Sequence, residues 1–276
     1  MIYDLHSHST ASDGVLSPEK LVERAAKKNV QFLALTDHDT TDGIAAAQRQ
    51  AEVEGITLVP GIEFSTLWKK QTIHVVGLNI DPTSEAIATG VGFLKQKRVE
   101  RTERLAARLE KCGVENALHD AKRLAGEGNI VTRTHFARLL IERNLVKDSN
   151  AAFKKWLGHK GRAHVAGDWA SLTQAVEWIV ASGGQAVIAH PGRYRLTRTK
   201  LMTLLGEFKD AGGEGLEVSC SSHDRNVRQN MAVMVRRFGL KASVGSDFHV
   251  PGYPYIELGY NLAIPDDLTP IWQNWH

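Results

Sequence analysis

The stretch Phe32-Leu33-Ala34-Leu35-Thr36-Asp37-His38-Asp39, residues 32–39, joins a short apolar run to a polar tip. An apolar run of that length, bounded by polar residues, reads as a buried strand. Thr41 to Glu54 then shows helical spacing and stops at Gly55, the residue type that commonly closes a helix. A second apolar run, Thr57 to Ile62, follows. Strand, helix and strand within about 30 residues form the crossover unit of a parallel sheet.

The alternation continues outward. Further apolar runs are Ile2 to Leu5, Ile73 to Ile80, Gln185 to Ala189, Gly215 to Ser219 and Ala242 to Gly245. Between most of them lie helical segments: Pro18 to Lys28, Leu172 to Ser182, Lys200 to Ala211 and Arg225 to Phe238. Ser17 is the expected N-cap ahead of Pro18, and Gly183 and Gly239 close two of the others. The pattern predicts an α/β protein, either an open doubly wound sheet or a closed β/α barrel. Trp68-Lys69-Lys70-Gln71 separates two runs by so little that a hairpin is expected there. At 276 residues the chain lies between one large domain and two. Its 42% hydrophobic and 24% charged residues exclude a disordered, collagen-like or coiled-coil chain. Two cysteines are too few for a disulfide framework and fit a reducing cytoplasm. No leader-like start and no membrane-length apolar run is expected, since spanning needs about 20 apolar residues.

Ser84 to His164 breaks the repeat, with helical periodicity and no strand-like run. Residues 95–165 hold 17 Lys and Arg against 8 Asp and Glu, a surplus of nine positive charges, while the rest of the chain carries six negative ones. The net charge of +3 therefore averages over unlike parts. We expect a barrel in two parts, 1–83 and 165–276, with a basic helical insertion, 84–164, packed over one mouth. A merely solvated face is the commoner use of a basic helix in general.

Histidine, at 12, stands out. His6 and His8, two apart on an extended segment, point the same way and can share a metal. Such a pair alone also occurs as half-exposed surface residues. Other metal-binding types fall at strand ends: His38, Glu63 in Pro60-Gly61-Ile62-Glu63, His190 in Ile188-Ala189-His190-Pro191, and Asp247 and His249 in Gly245-Ser246-Asp247-Phe248-His249. The carboxyl ends of the strands are the functional face of such a barrel. Asp13 follows in the loop Thr10-Ala11-Ser12-Asp13-Gly14, and His74 opens the fourth run. Six imidazoles, three carboxylates and no thiolate suit Mn, Zn or Fe(II) rather than sulfur-bound structural zinc or an all-oxygen cage. Nine ligands exceed one ion; three ions with one bridging carboxylate would leave positions for water and substrate.

In this order, His-x-His, Thr-Asp-His-Asp, Gly-Ile-Glu, an isolated His, Ala-His-Pro and Gly-Ser-Asp-x-His, the sequence resembles the polymerase and histidinol phosphatase (PHP) superfamily. The resemblance implies a metal-dependent phosphoesterase on a distorted (β/α)7 TIM-like barrel, here with a helical insertion domain. It implies one metal on His6, His8, Glu63 and Asp247, a second on Glu63, His74 and His190, and a third on Asp13, His38 and His249. At Asp13 many relatives have histidine, which leaves the third site plausible with altered identity or occupancy. The basic insertion is similar to that of a stand-alone bacterial group acting on nucleoside 3′,5′-bisphosphates and short 5′-phosphorylated oligonucleotides. Arg98, Arg101 and Thr132-Arg133-Thr134-His135-Phe136-Ala137 match its recurring features.

Attack is then expected from a metal-bound hydroxide, with no side-chain nucleophile, and the expected ions are three Mn²⁺, with Zn or Fe as alternatives. Ser7 and Ser9 are read as small residues in a crowded loop, and Asp37 and Asp39 as groups orienting the ligands. Arg98 and Arg101, three apart on a helix, would grip a distal phosphate with Arg133, Thr134 and His135. Arg225 could reach the metal face or be a helix-start surface residue. Trp156 and Trp169 could stack on a base, although buried packing is the commoner use. His119, His159, His164 and His276 match no ligand position. The expected partner is a small nucleotide or short oligonucleotide, with no membrane and no obligate protein partner. Alternatives are a histidinol-phosphate-type monoesterase, an amidohydrolase, for which no bridging lysine is evident, and a nucleic-acid-binding module with structural metals. The last would show salt-sensitive binding without turnover.

Overall fold

The structure, a computed structural model, describes residues 1–126, 130–253 and 255–275; His276 lies outside them. The strands are β1 (Tyr3–Asp4), β2 (Phe32–Leu35), β3 (Thr57–Trp68), β4 (Gln71–Leu78), β5 (Ala170–Ser171), β6 (Gln185–Ile188), β7 (Gly215–Cys220) and β8 (Lys241–Gly245). Helices α1 (Pro18–Lys27) and α2 (Ile44–Glu54) belong to the first half of the sheet, and α7 (Leu172–Ala181), α8 (Arg198–Asp210) and α9 (Arg225–Phe238) to the second. Between the halves run α3 (Glu85–Lys111), α4 (Ala117–Ala125), α5 (Arg133–Glu142), α6 (Ser149–Ala152) and a π-helical turn, Phe153–Leu157. Among the described residues no helix is long and apolar enough to cross a membrane.

The expected caps form. Ser17 Oγ accepts the Lys20 N–H, Pro18 occupies the first turn, and Gly55 and Gly239 end α2 and α9 in left-handed conformations. The sheet order is β1-β2-β3-β4-β6-β7-β8, with β5 pairing only β3. The open edges meet through Leu5 N–H to Val244 O at 3.1 Å and His8 N–H to Phe248 O at 3.0 Å, so the sheet is nearly closed into a barrel.

One strand runs against the rest. β4 is antiparallel to both β3 and β6, because Lys69 and Lys70, both at positive φ, reverse the chain in two residues. That is the mirror-image turn whose twist matches a hairpin. β3 also continues six residues past Ile62, a segment absent from the apolar run because Glu63, Ser65 and Thr66 interrupt it.

Outer helices bury Leu21, Ala47, Ile179, Leu204, Phe208 and Val235 against the sheet residues Leu33, Leu35, Ile62, Phe64 and Ile188. Full burial of such a side chain stabilises by about 1.5–3 kcal/mol. A second cluster, including Leu5, Val59, Val76, Val187 and Ile271, fills another part of the fold with Tyr3, Trp272 and Trp275 against it. The segment from α3 to the π-helical turn has its own cluster of Leu105, Leu109, Phe136, Leu140, Trp156 and Leu157.

A candidate metal centre beneath an arginine-lined cavity

Strand ends and their loops bring the nine predicted ligand residues together. His6 and His8 follow β1, His38 follows β2, and His190, Asp247 and His249 follow β6 and β8. Glu63 sits within β3, and His74 lies on β4 opposite Ser65. His190 (φ 30°) and Asp247 (φ 53°) hold left-handed backbones that non-glycine residues rarely adopt, and such strain concentrates at functional sites. Close approach of two strands also needs Gly245, where a Cβ would come within 2.2 Å of His6 Cβ.

Glu63 is the hub. Its Oε1 lies 2.8 Å from His74 Nδ1 and 3.0 Å from His190 Nε2. Its Oε2 lies 3.3 Å from both His6 Nε2 and His8 Nε2 and 2.9 Å from His38 Nδ1. Asp247 Oδ1 is 3.4 Å from His6 and 3.1 Å from His8, and Asp13 Oδ1 is 3.2 Å from His249. Among the described residues three groups have ligand atoms within 4.8 Å of one another: His6, His8, Glu63 and Asp247; His38, Glu63 and His74; and His8, Asp13, His38 and His249.

Several of these atoms are buried without a hydrogen bond, among them Asp13 Oδ1, His38 Nδ1 and Glu63 Oε2. His38 Nδ1 and Glu63 Oε2 are near each other yet misaligned, as expected when both aim at a common third point. A buried polar atom left unpaired costs about 1–3 kcal/mol, so the donor set fits divalent cations. Burial opposes charge on Glu63, but the imidazoles of His38, His6 and His74 outweigh it and hold the carboxyl well below its usual range. Burial likewise takes His190 down to about 4, against the pull of Glu63.

The surrounding shell is specific. Asp37 Oδ1 accepts from Ser9 N–H (2.8 Å) and Ser12 Oγ (2.6 Å), and its Oδ2 accepts from Ser9 Oγ (2.6 Å), which pins the loop carrying Asp13. Ser7 Oγ donates to Ala34 O at 2.7 Å. Both serines near the histidines therefore serve the loop. Asp39 accepts Ser65 N–H and Arg98 Nε. Two neighbours escaped the sequence reading. Glu217 on β7 lies 2.6 Å from His6 Nδ1 and accepts the His190 N–H, beside a bulge in the β7–β8 register. Its signal was an acid inside an apolar run. Arg193, three residues after His190, pairs with Asp247.

A cavity of about 260 Å³ opens over the cluster. Asp13, His38, Glu63, His74 and His190 line it together with Arg98, Arg101, Arg133, Thr134, Phe153 and Trp169. Arg98 is already held by Asp39 and Ser65, whereas Arg101 donates only to Val165 O (3.1 Å) and Arg133 has no carboxylate partner among the described residues. Burial, with Arg133, Arg98 and Arg104 nearby, pushes the Arg101 guanidinium down to about 8, as expected for a cation short of counter-charge. Thr132 and Thr134 donate to Asp13 Oδ2 at 3.3 and 3.0 Å, tying the start of α5 to the cluster.

Two expected contacts are not made there. His135 does not line the cavity; its Nδ1 accepts the Thr132 N–H and completes the cap of α5. Arg225 lines a different groove along α9, because the first turn of α9 faces Asn261 to Pro265 rather than the cluster.

With this geometry in view, the PHP domain family model matches residues 4–212. A 3′,5′-nucleoside bisphosphate phosphatase of Chromobacterium violaceum is 43% identical over 98% of this chain and 95% of its own length. The 5′-3′ exoribonuclease Rnm of Escherichia coli is 44% identical over 100% and 94%. Among solved structures, an amidohydrolase from Chromobacterium violaceum with bound sulfate and no metal superposes with TM-score 0.94 at 42% identity, over 99% of this chain and 95% of that one. A metal-dependent phosphoesterase from Bifidobacterium adolescentis gives 0.84 at 26%, over 98% and 93%.

Proposed function

The chain belongs to the PHP domain family and is a phosphoric ester hydrolase, and from that premise we propose that it removes the 3′-phosphate of nucleoside 3′,5′-bisphosphates and trims short 5′-phosphorylated oligonucleotides from 5′ to 3′. One observation carries the reading: Arg101, which is buried, and Arg133, which is half-buried, share a cavity with the histidine and carboxylate cluster, and among the described residues neither guanidinium has a carboxylate in salt-bridge contact. A buried unpaired charge costs several kcal/mol, and a substrate phosphate supplies the missing partner.

In this reading Arg101 and Arg133 bind the 5′-phosphate, and Thr134 keeps the start of α5 in register with Asp13. Anchoring that end presents the 3′-phosphate, or the first phosphodiester, to the cluster. Arg193, beside Asp247, adds positive charge at the reacting end. The helical segment 84–164 acts as a cap that narrows the mouth and excludes water. The cluster holds three divalent ions, manganese foremost, with zinc or iron accepted by the same donors: His6, His8, Glu63 and Asp247 for one, Glu63, His74 and His190 for another, Asp13, His38 and His249 for the third. Bound ions supply Lewis acidity toward phosphoryl oxygens and a water nucleophile at neutral pH. Cys112 and Cys220 are both free, in keeping with a cytoplasmic enzyme.

The test is manganese-supplemented turnover of adenosine 3′,5′-bisphosphate against the 3′- and 5′-monophosphates. Losing a charge-assisted contact of 1.5–3 kcal/mol should lower kcat/KM for the 3′-monophosphate by at least about tenfold. Equal turnover of both would favour a general monoesterase, which has no use for Arg101 and Arg133.

A further inference from the structure

We propose that Phe153 is the base-stacking residue of this cavity and selects a nucleoside bisphosphate over a bisphosphate that lacks a base; this rests on the nucleotide reading above. Two aromatic side chains line the cavity, Phe153 and Trp169. Trp169 is only 8% exposed, and the guanidinium carbons of Arg98 and Arg101 lie 5.3 and 5.1 Å from its ring. Trp169 thus meets two guanidiniums, whereas Phe153 meets one and is the more exposed ring. Phe153 is half-buried, and the guanidinium of Arg133 lies 5.5 Å from its ring centroid. A phosphate held by Arg133 therefore has its own base within reach of that ring.

The backbone explains how the ring is presented. α6 passes into the π-helical turn, and the Gly158 N–H closes on Phe153 O at 2.8 Å across five residues. Such turns recur at functional sites. The same turn buries Trp156 and Leu157 in the core of the helical segment. The following chain folds back, with Arg162 and Ala163 N–H donating to the carbonyls of Lys155 and Trp156 at 3.1 and 2.9 Å. Phe153 thus stands on an anchored backbone with its side chain at the cavity wall. Every base has a π face, so a lone phenyl wall recognises the presence of a base without choosing among bases.

The experiment compares adenosine 3′,5′-bisphosphate with 1-deoxyribose 3,5-bisphosphate, its base-free analogue, in the wild type and in Phe153→Ala, Phe153→Leu and Phe153→Trp. Base stacking on an aromatic side chain is lost in the Ala and Leu variants, which should raise KM for the nucleoside substrate by about tenfold while kcat holds. The base-free analogue should respond to none of the variants, and Trp should restore the wild-type KM. Equal losses on both substrates, full rescue by Leu, or no wild-type preference for the base would overturn the proposal. A wild type that prefers neither bisphosphate over the 3′-monophosphate would instead overturn the nucleotide reading.

Discussion

At the scale of single residues, the cavity places Arg101 and Arg133 beside the histidine and carboxylate cluster. Arg133→Ala should raise KM for a 5′-phosphorylated substrate by at least about tenfold, and leave KM for a substrate without that phosphate unchanged. Steady-state kinetics on the two substrates checks this, and equal effects would remove Arg133 from the phosphate pocket. Glu217→Gln tests the shell around the ligands. Glu217 takes the outer nitrogen of His6 and the His190 amide, so its loss should weaken metal retention by about 10–100-fold. Metal titration followed by calorimetry measures it. The nine residues that the fold gathers into one cluster could be picked out from sequence because histidines and acids recur beside the apolar runs in a fixed order. Glu217 could not, since inside a strand a buried acid and a packing residue look alike until the partner is known. His135 lies outside the cavity lining and caps α5, because a histidine three residues after Thr132 can reach back to its backbone N–H.

At the scale of elements, two connections position the site. Thr132 caps α5 and donates to Asp13, so Thr132→Ala should cost about 1–2 kcal/mol and loosen the third ligand group. Denaturant unfolding and metal content report the two effects separately. Gly245→Ala should cost about 3 kcal/mol, because the added Cβ collides with His6 at the seam where the barrel closes. A wild-type unfolding midpoint would show that the seam can yield. The order of the other seven strands and of the helices that flank them was legible, and so was the Lys69-Lys70 hairpin. β5 was not: a two-residue strand has no period of its own and exists only because β3 runs on to meet it.

At the scale of the whole molecule, the cluster links metal binding to stability. Ions held by the native cluster and not by the unfolded chain raise stability by about 2.7 kcal/mol when present at 100 times their Kd. Chelation should therefore lower the thermal midpoint, and manganese should restore it; a midpoint insensitive to both would mean that the native fold does not hold the ions. Sequence by itself determined the α/β repeat, the donor set and the unequal charge of the two parts, because hydrophobic period, ligand chemistry and charge are properties of residues wherever they lie. Tertiary structure alone decided that Glu63 turns one oxygen toward His74 and His190 and the other toward His6, His8 and His38. It also decided that Arg98 is paired with Asp39 while, among the described residues, Arg101 and Arg133 have no carboxylate in salt-bridge contact. A charge becomes a binding group only when burial removes water and no neighbour neutralises it, and both conditions depend on distances the sequence does not contain.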